Sequence, residues 1–331
     1  MPRLRHVSRD DLTIVRRRQG RGYVFADSEG HPFGDAAFRS RVKHLGIPPA
    51  WREVKVAADP LAHIQACGLD DAGRVQYIYH PDWEARRTRR KQRQLALLAS
   101  ALPRIRRRVR EDLGAETGSK QLALAIGVAL IDRTAMRVGR ERYLDAHGTR
   151  GAGTMFTRDV KVKGEKIAIT FPAKSGKTAV YELHDPMLAD AIARVKTIPG
   201  TRLLMYRDAD GSARAIRTEE LNRYLREIAG APVTAKDFRT LHASALAAEA
   251  LAKLEPGESP TARKRQVTGV TRQVAAFLQN TPAISRQSYI APCLFTLFDT
   301  GKLATLWAAA DTRNGLRQRE ARLEALLHAV S

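Results

Sequence analysis

A chain of 331 residues exceeds the length at which one hydrophobic core usually stops growing, so two domains are expected. Its 44% hydrophobic content excludes a disordered polymer. Lysine and arginine number 57 against 35 aspartates and glutamates, a net charge of +22 that attracts polyanions by releasing their counterions, which makes nucleic acid the leading partner.

The N-terminal stretch MPRLRHVSRDD is basic but has no apolar h-region. The longest apolar run, Leu122 to Ile131, is broken only by Gly127 and is too short to cross a bilayer. No membrane association is expected, and the predicted location is cytoplasmic. Residues 1–85 read as strands and turns: Tyr23, Val24 and Phe25 lead into Asp-Ser-Glu-Gly at 27–30, and Val75 to Tyr79 form another short run. A small β-rich domain over residues 1–90 is therefore predicted.

From about Lys91 the pattern turns helical, with Leu95, Leu98, Leu102 and Ile105 on one face, then Leu122, Ile126, Ala129 and Leu130 on the next. Arg86 to Arg110 carry eleven lysines or arginines and no acid, so the charge is clustered. Between Thr154 and Leu183 the pattern alternates: Val160, Val162, then Ile167, Ile169 and Phe171, with Lys163 and Gly164 at the turn. This predicts a β-hairpin, three-stranded with Thr178 to Leu183, inserted in a helical domain over residues 91–331. Helices are expected again over Asp185–Lys196, Glu219–Ile228, Lys236–Leu254, Thr261–Leu278 and Gly315–Ala329. The fold class is thus α+β, a small β-rich domain followed by a larger, mainly helical one.

Several familiar motifs fail. Ser-Gly-Lys-Thr at 175–178 matches the end of a phosphate loop, but Phe171 stands where its first glycine belongs and the turn joins two strands. Gly148 to Gly153 lacks the order and the preceding strand of a dinucleotide fingerprint, and reads as a flexible loop. Cys67 and Cys293 are far apart and belong to no CxxC pattern, and the nine histidines are scattered, so neither a disulfide framework nor a metal site is predicted. A protein of this kind that breaks phosphodiesters must neutralise charge with its own cations, with no cofactor expected.

Four segments stand out. Thr-Ala-Met-Arg-Val-Gly-Arg-Glu-Arg-Tyr (134–143) and Asp-Phe-Arg-Thr-Leu-His-Ala-Ser (237–244) set Arg137 and Arg239 among apolar or small neighbours, where an unpaired arginine is costly. Taken singly, each would be satisfied by a nearby acid such as Asp132 or Asp237. Phe-Pro-Ala-Lys (171–174) puts Lys174 at the hairpin turn, and Asn-Thr-Pro-Ala-Ile-Ser-Arg-Gln-Ser-Tyr (280–289) ends on Tyr289.

In this order the segments closely resemble the type IB DNA topoisomerases, especially the compact bacterial and poxvirus-like branch. The resemblance implies a tyrosine recombinase/topoisomerase IB-like fold and a catalytic set of Arg137, Lys174, Arg239, Asn280 and Tyr289, with Tyr289 as nucleophile. It departs at two positions: Asn280 stands where most viral and eukaryotic relatives carry histidine, and Ala173 replaces the glycine before the lysine. Asparagine can donate a hydrogen bond but cannot titrate. Ile-Pro-Pro-Ala-Trp (47–51) and Gly-Arg-Val-Gln-Tyr-Ile-Tyr-His-Pro-Asp-Trp (73–83) resemble the N-terminal signatures of the bacterial members.

That second resemblance implies that the N-terminal domain clamps duplex DNA through Arg74, Gln76, Tyr77 and Tyr79. With the basic run it gives Arg86, Arg87, Arg89, Arg90 and Lys91 as further DNA contacts. Alternation puts Tyr77 and Tyr79 on one strand face, which is otherwise a sheet core face. A monomer associated with the nucleoid is expected. Two other readings remain: a tyrosine recombinase, whose second arginine usually follows His-x-x-Arg where this chain has Lys236, and a noncatalytic DNA-binding protein, towards which Asn280 leans.

Overall fold

In the computed structural model residues 3–310 and 317–329 are described, and the chain folds as two units, Met1–Arg90 and Lys91–Ser331. The first unit is built on an antiparallel sheet of β1 (Ile14–Gln19), β2 (Gly22–Ala26), β3 (Arg52–Val56), β4 (Ile64–Leu69) and β5 (Val75–Tyr79), in the order β2-β1-β3-β4-β5. Helix α1 (Ala36–Leu45) interrupts the strands, a departure from the all-strand expectation. Its cause is local: the Asp35 side chain caps the Phe38 amide at 2.8 Å, and Phe38 and Val42, one turn apart, are both buried. They close a core with Ile14, Val54, Val56 and Ala66.

Helix α2 (Pro81–Leu113) starts ten residues before the apolar period suggested. Its opening carries Pro81 with Asp82 and Glu84 in the first turn, the chemistry that favours a helix N-terminus, whereas the run Arg86–Lys91 has no apolar stripe to betray it. Further along, Leu95, Leu98, Leu102, Ile105 and Val109 are buried at three- and four-residue spacing.

The second unit surrounds α3 (Lys120–Thr134), in which every residue from Leu122 to Asp132 is buried. After α4 (Glu141–His147) comes the inserted sheet, β6 (Val160–Lys163), β7 (Lys166–Pro172) and β8 (Thr178–His184), paired antiparallel in the order β6-β7-β8, so the three-stranded insertion is present. Helix α5 (Pro186–Val195), the short pair β9 (Met205–Arg207) and β10 (Ala213–Ala215), α6 (Thr218–Ala229), α7 (Ala235–Ala252) and α8 (Pro260–Phe277) follow. Three short helices, α9 (Pro282–Ser288), α10 (Pro292–Asp299) and α11 (Leu303–Ala309), lead to α12 (Gln318–Ala329). Gly315 and Leu316 of the expected last helix lie outside the described residues. A mixed α/β fold with an N-terminal sheet and a mostly helical second part is thus observed. No described helix is long and apolar enough to cross a membrane.

Candidate active site

Arg137 follows directly on the end of α3. The cap residue Ala135 takes the left-handed conformation at φ +52° and its amide bonds to Ile131 O, while Thr134 Oγ1 accepts from the Met136 amide at 3.1 Å. The helix is thereby stopped sharply, and the carbonyl of Ala135 becomes an acceptor for Arg239. Arg239, on the first turns of α7 and only 2% exposed, donates through Nη1 to Ala135 O and through Nη2 to Leu278 O at 3.0 Å. It is therefore held by two main-chain carbonyls, and the ion pairs expected from the sequence do not form. Asp132 instead engages Arg106 and Arg133, and Asp237 caps its own helix through Thr234.

The remaining donor of Arg239, Nε, is buried with no partner among the described residues. Burial and the neighbouring charge of Arg137 push the Arg239 guanidinium below its ordinary value, with Tyr289 and Tyr181 acting against them. The guanidinium carbon lies 4.9 Å from the Tyr289 ring centroid.

Asn280 is presented by a second left-handed residue, Gln279 at φ +50°, which ends α8 and lets the Asn280 amide bond to Ala275 O at 2.8 Å. Its Oδ1 accepts from Arg137 Nη2 at 3.3 Å, and its Nδ2 is buried and unpartnered. Tyr289 caps α9, its amide bonded to Ser285 O at 3.1 Å and its ring half-buried. Pro282 and Pro292 start α9 and α10 at positions where a missing N–H costs nothing, which fixes the short helix between them.

Arg137, Arg239, Asn280 and Tyr289, spread over 153 positions of sequence, thus meet. Lys174 is not bonded to them: it is exposed in a helical turn between β7 and β8, with no hydrogen bond or ion pair among the described residues. The same hairpin does border the site, because Gln279, next to Asn280, donates through Nε2 to Val180 O of β8 at 3.1 Å; burial raises the phenol of the neighbouring Tyr181, and the charges of Arg239 and Arg137 act against it. Ala173 sits at φ −111°, so the alanine in place of glycine carries no backbone penalty.

Two residues escaped sequence reasoning. Buried Ser244, five positions after Arg239, bridges Tyr289 O at 3.2 Å and the Ala291 amide at 3.0 Å, fixing the backbone on both sides of Ile290. Tyr181 lies on the inward side of β8 with Ala179 and Leu183, so its position was readable from alternation.

In the N-terminal unit, Tyr77 and Tyr79 stack with centroids 6.0 Å apart. Tyr77 is 39% exposed, whereas Tyr79 packs against the small core of Leu12, Ala57, Ala62, Ile64 and Cys67, so the face is part core and part open surface. Arg74 and Gln76 are both held by Asp70, at 2.9 and 2.8 Å, and the Asp70 carboxyl is drawn down to about 2 chiefly by hydrogen bonds from Arg74. Arg86, Arg87, Arg89, Arg90 and Lys91 lie on α2, where Arg87 pairs with Glu84 at 2.9 Å and stands over the Tyr79 ring.

The structure also gathers acids that the sequence left apart. Asp132, His242 and Glu320 are buried within reach of one shared ion. Arg106 already occupies that space, bonding Asp132 at 2.9 Å through Nε and Nη2 and Glu320 at 2.6 and 2.9 Å through Nη1 and Nη2. A guanidinium that satisfies both carboxylates leaves a second cation little to bind. Cys67 is buried and Cys293 half-buried, both free, and burial pushes both thiols up.

Comparison with known proteins gives the class. The family model of the eukaryotic DNA topoisomerase I catalytic core matches residues 81–291, well over half of the chain, and that of the bacterial DNA topoisomerase IB N-terminal domain matches residues 22–70. The chain therefore belongs to the type IB DNA topoisomerase family, isomerases whose partner is DNA. DNA topoisomerase 1B of Acanthamoeba polyphaga mimivirus is 28% identical over 284 residues, covering 84% of each chain. Among solved structures, a XerH site-specific recombinase bound to difH in a pre-cleavage complex aligns at 15% identity and a TM-score of 0.33, over 54% of this chain and 47% of that one.

Proposed function

We propose that this enzyme relaxes supercoiled duplex DNA by cutting one strand through Tyr289 and resealing it, with Arg137, Lys174, Arg239 and Asn280 completing the site. Two buried donors without partners among the described residues carry the proposal: Arg239 Nε, whose guanidinium lies 4.9 Å from the Tyr289 ring centroid, and Asn280 Nδ2, whose side chain bonds Arg137. Each unmet donor costs about 1–3 kcal/mol, and the nonbridging oxygens of a phosphodiester are acceptors that would satisfy both.

A neutral tyrosine is a weak nucleophile, and the phosphodiester repels it by its own charge. Arg137 and Arg239 clamp the nonbridging oxygens and stabilise the charge that grows in the transition state, with Asn280 as a further donor. Tyr289 Oη bonds to phosphorus and gives up its proton to solvent. The bond from phosphorus to the 5′ oxygen breaks, and Lys174 protonates that departing oxygen. The product is a 3′-phosphotyrosyl linkage beside a free 5′ hydroxyl. Because it retains the phosphoester energy, the reverse attack reseals the strand without ATP, and the site's own cations supply the charge neutralisation.

In the same reading, residues 1–90 form a DNA-clamping domain contacting duplex through Arg74, Gln76, Tyr77 and Tyr79, and Arg86, Arg87, Arg89, Arg90 and Lys91 line its path. The enzyme acts as a monomer, in the cytoplasm and on the nucleoid. The test is incubation with supercoiled plasmid in EDTA and without ATP. Relaxed topoisomers are expected from the wild type and none from Tyr289→Phe. An unchanged plasmid, or relaxation by the variant, overturns the proposal.

A further inference from the structure

The glycine-rich stretch that reads as a flexible loop is instead packed. Gly151, Ala152, Gly153 and Thr154 are all buried. Within four residues the segment makes three main-chain bonds to the two segments that carry site residues. Arg150 donates to Pro172 O at 2.9 Å, two residues before Lys174; Ala152 donates to Arg137 O at 2.9 Å, and Gly153 to Val138 O at 2.7 Å.

The fit leaves no room for a larger residue. A Cβ on Gly151 would stand 2.2 Å from Arg137 O and 2.5 Å from Gly139 N, although the extended backbone there, φ −165°, suits any residue. On the facing side a Cβ on Gly139 would stand 2.2 Å from Thr154 Oγ1, the atom that accepts from the Gly151 amide at 3.0 Å.

One end of the segment is anchored by a buried side chain. Arg150, 10% exposed, pairs with Asp159, whose other oxygen accepts from the Phe156 amide at 2.8 Å. Its guanidinium lies 4.3 Å from the Phe156 ring centroid, a ring that Arg202 also approaches while pairing with Glu141 of α4. The Nε of Arg150 has no partner among the described residues, but unlike Arg239 this side chain has its charge offset by an acid, Asp159, which leaves it poorly placed to meet a phosphate.

We propose that residues 150–154 are a positioning clip that sets the separation of Arg137 and Lys174, with Arg150 governing the Lys174 arm and Gly151 the Arg137 arm. The inference rests on the reading of both residues as members of the site. Lys174 needs such a device because it stands on an exposed turn and has no hydrogen bond or ion pair among the described residues to hold it towards the other four. Errors of about 1 Å in the placement of a reacting group cost about a hundredfold in rate.

The test is a pair of double-mutant cycles read by single-turnover strand cleavage, with DNA affinity measured alongside. Arg150→Ala should slow cleavage by about 10- to 100-fold with affinity nearly unchanged, and should add nothing further in a Lys174→Ala background. Gly151→Ala should be slow alone, add nothing in an Arg137→Ala background, and multiply the defect of Lys174→Ala. Wild-type cleavage by Arg150→Ala, or a defect that multiplies that of Lys174→Ala, overturns the clip while leaving the Lys174 assignment intact. Wild-type cleavage by Lys174→Ala removes that assignment itself and the clip with it. If thermal melting shows Arg150→Ala to be unfolded, Asp159→Asn, which keeps the shape but weakens the anchor, replaces it in the same cycle.

Discussion

Arg239 shows how a cation becomes reserved for a ligand. Two carbonyls fix its guanidinium and no acid among the described residues pairs with it, so burial and Arg137 both weigh against its charge. An anion between the two arginines would relieve both effects. Asn280 completes the pocket as a donor that cannot titrate, so in the proposed reaction its work is electrostatic. Asn280→Ala is expected to slow single-turnover cleavage by about tenfold to a thousandfold, the range for losing one transition-state donor, while Asn280→His preserves it. A normal rate in the alanine variant would remove Asn280 from the site. The types and order of these residues were legible in the sequence through family resemblance, but their partners were not. Arg239 was expected to seek a nearby acid, whereas Ala135 O and Leu278 O, which hold it, are main-chain groups that no side-chain pattern announces.

At the scale of elements, the site depends on where helices stop. Ala135 and Gln279, both left-handed without being glycine, end α3 and α8 and present Arg137 and Asn280. Neither turn carries a compositional signal, and the same holds for the packed 150–154 segment, whose glycines suggest freedom but serve close approach. Longer elements with a clean period, such as β6–β8 and α5–α8, were readable; α1 carries its stripe of Phe38, Val42 and Leu45 in only ten residues among strands, and the first turns of α2 lack a stripe.

Helices α2, α3, α7 and α12 are joined by Arg106, Asp132, His242 and Glu320. Burial alone would raise the Asp132 carboxyl, but the adjoining His242 and Arg106 side chains outweigh it and hold it far below the usual range. A carboxyl depressed in the folded state contributes stability that is complete above its unfolded value, near 4, and is lost as pH falls below it. Arg106→Ala, which takes from two buried carboxylates the cation that bonds both and leaves Asp132 with Arg133 and His242, should cost up to about 3–5 kcal/mol by urea unfolding at neutral pH, and the loss should shrink on acidification. A variant as stable as the wild type at pH 7 would show that this network does not hold the helices.

For the molecule as a whole, the net charge of +22 and the DNA partner combine in a salt dependence. If six phosphates are neutralised, the logarithm of the affinity for nonspecific duplex should fall with the logarithm of salt concentration at a slope of about −5. A flat response would show that the basic run from Arg86 to Arg110 does not face DNA. Composition announced this property directly, because charge is a sum over residues and needs no fold, whereas the meeting of four side chains from distant segments needs all of it.

In the proposed reaction Tyr289 carries the cut strand. A labelled duplex would be trapped with the enzyme by denaturation, the complex digested, and the nucleotide-bearing peptide sequenced by mass spectrometry. A single adduct is expected, with the 3′ phosphate on Tyr289 and a free 5′ hydroxyl on the other fragment. An adduct on another tyrosine, a 5′ linkage, or an equal yield from Tyr289→Phe would contradict it.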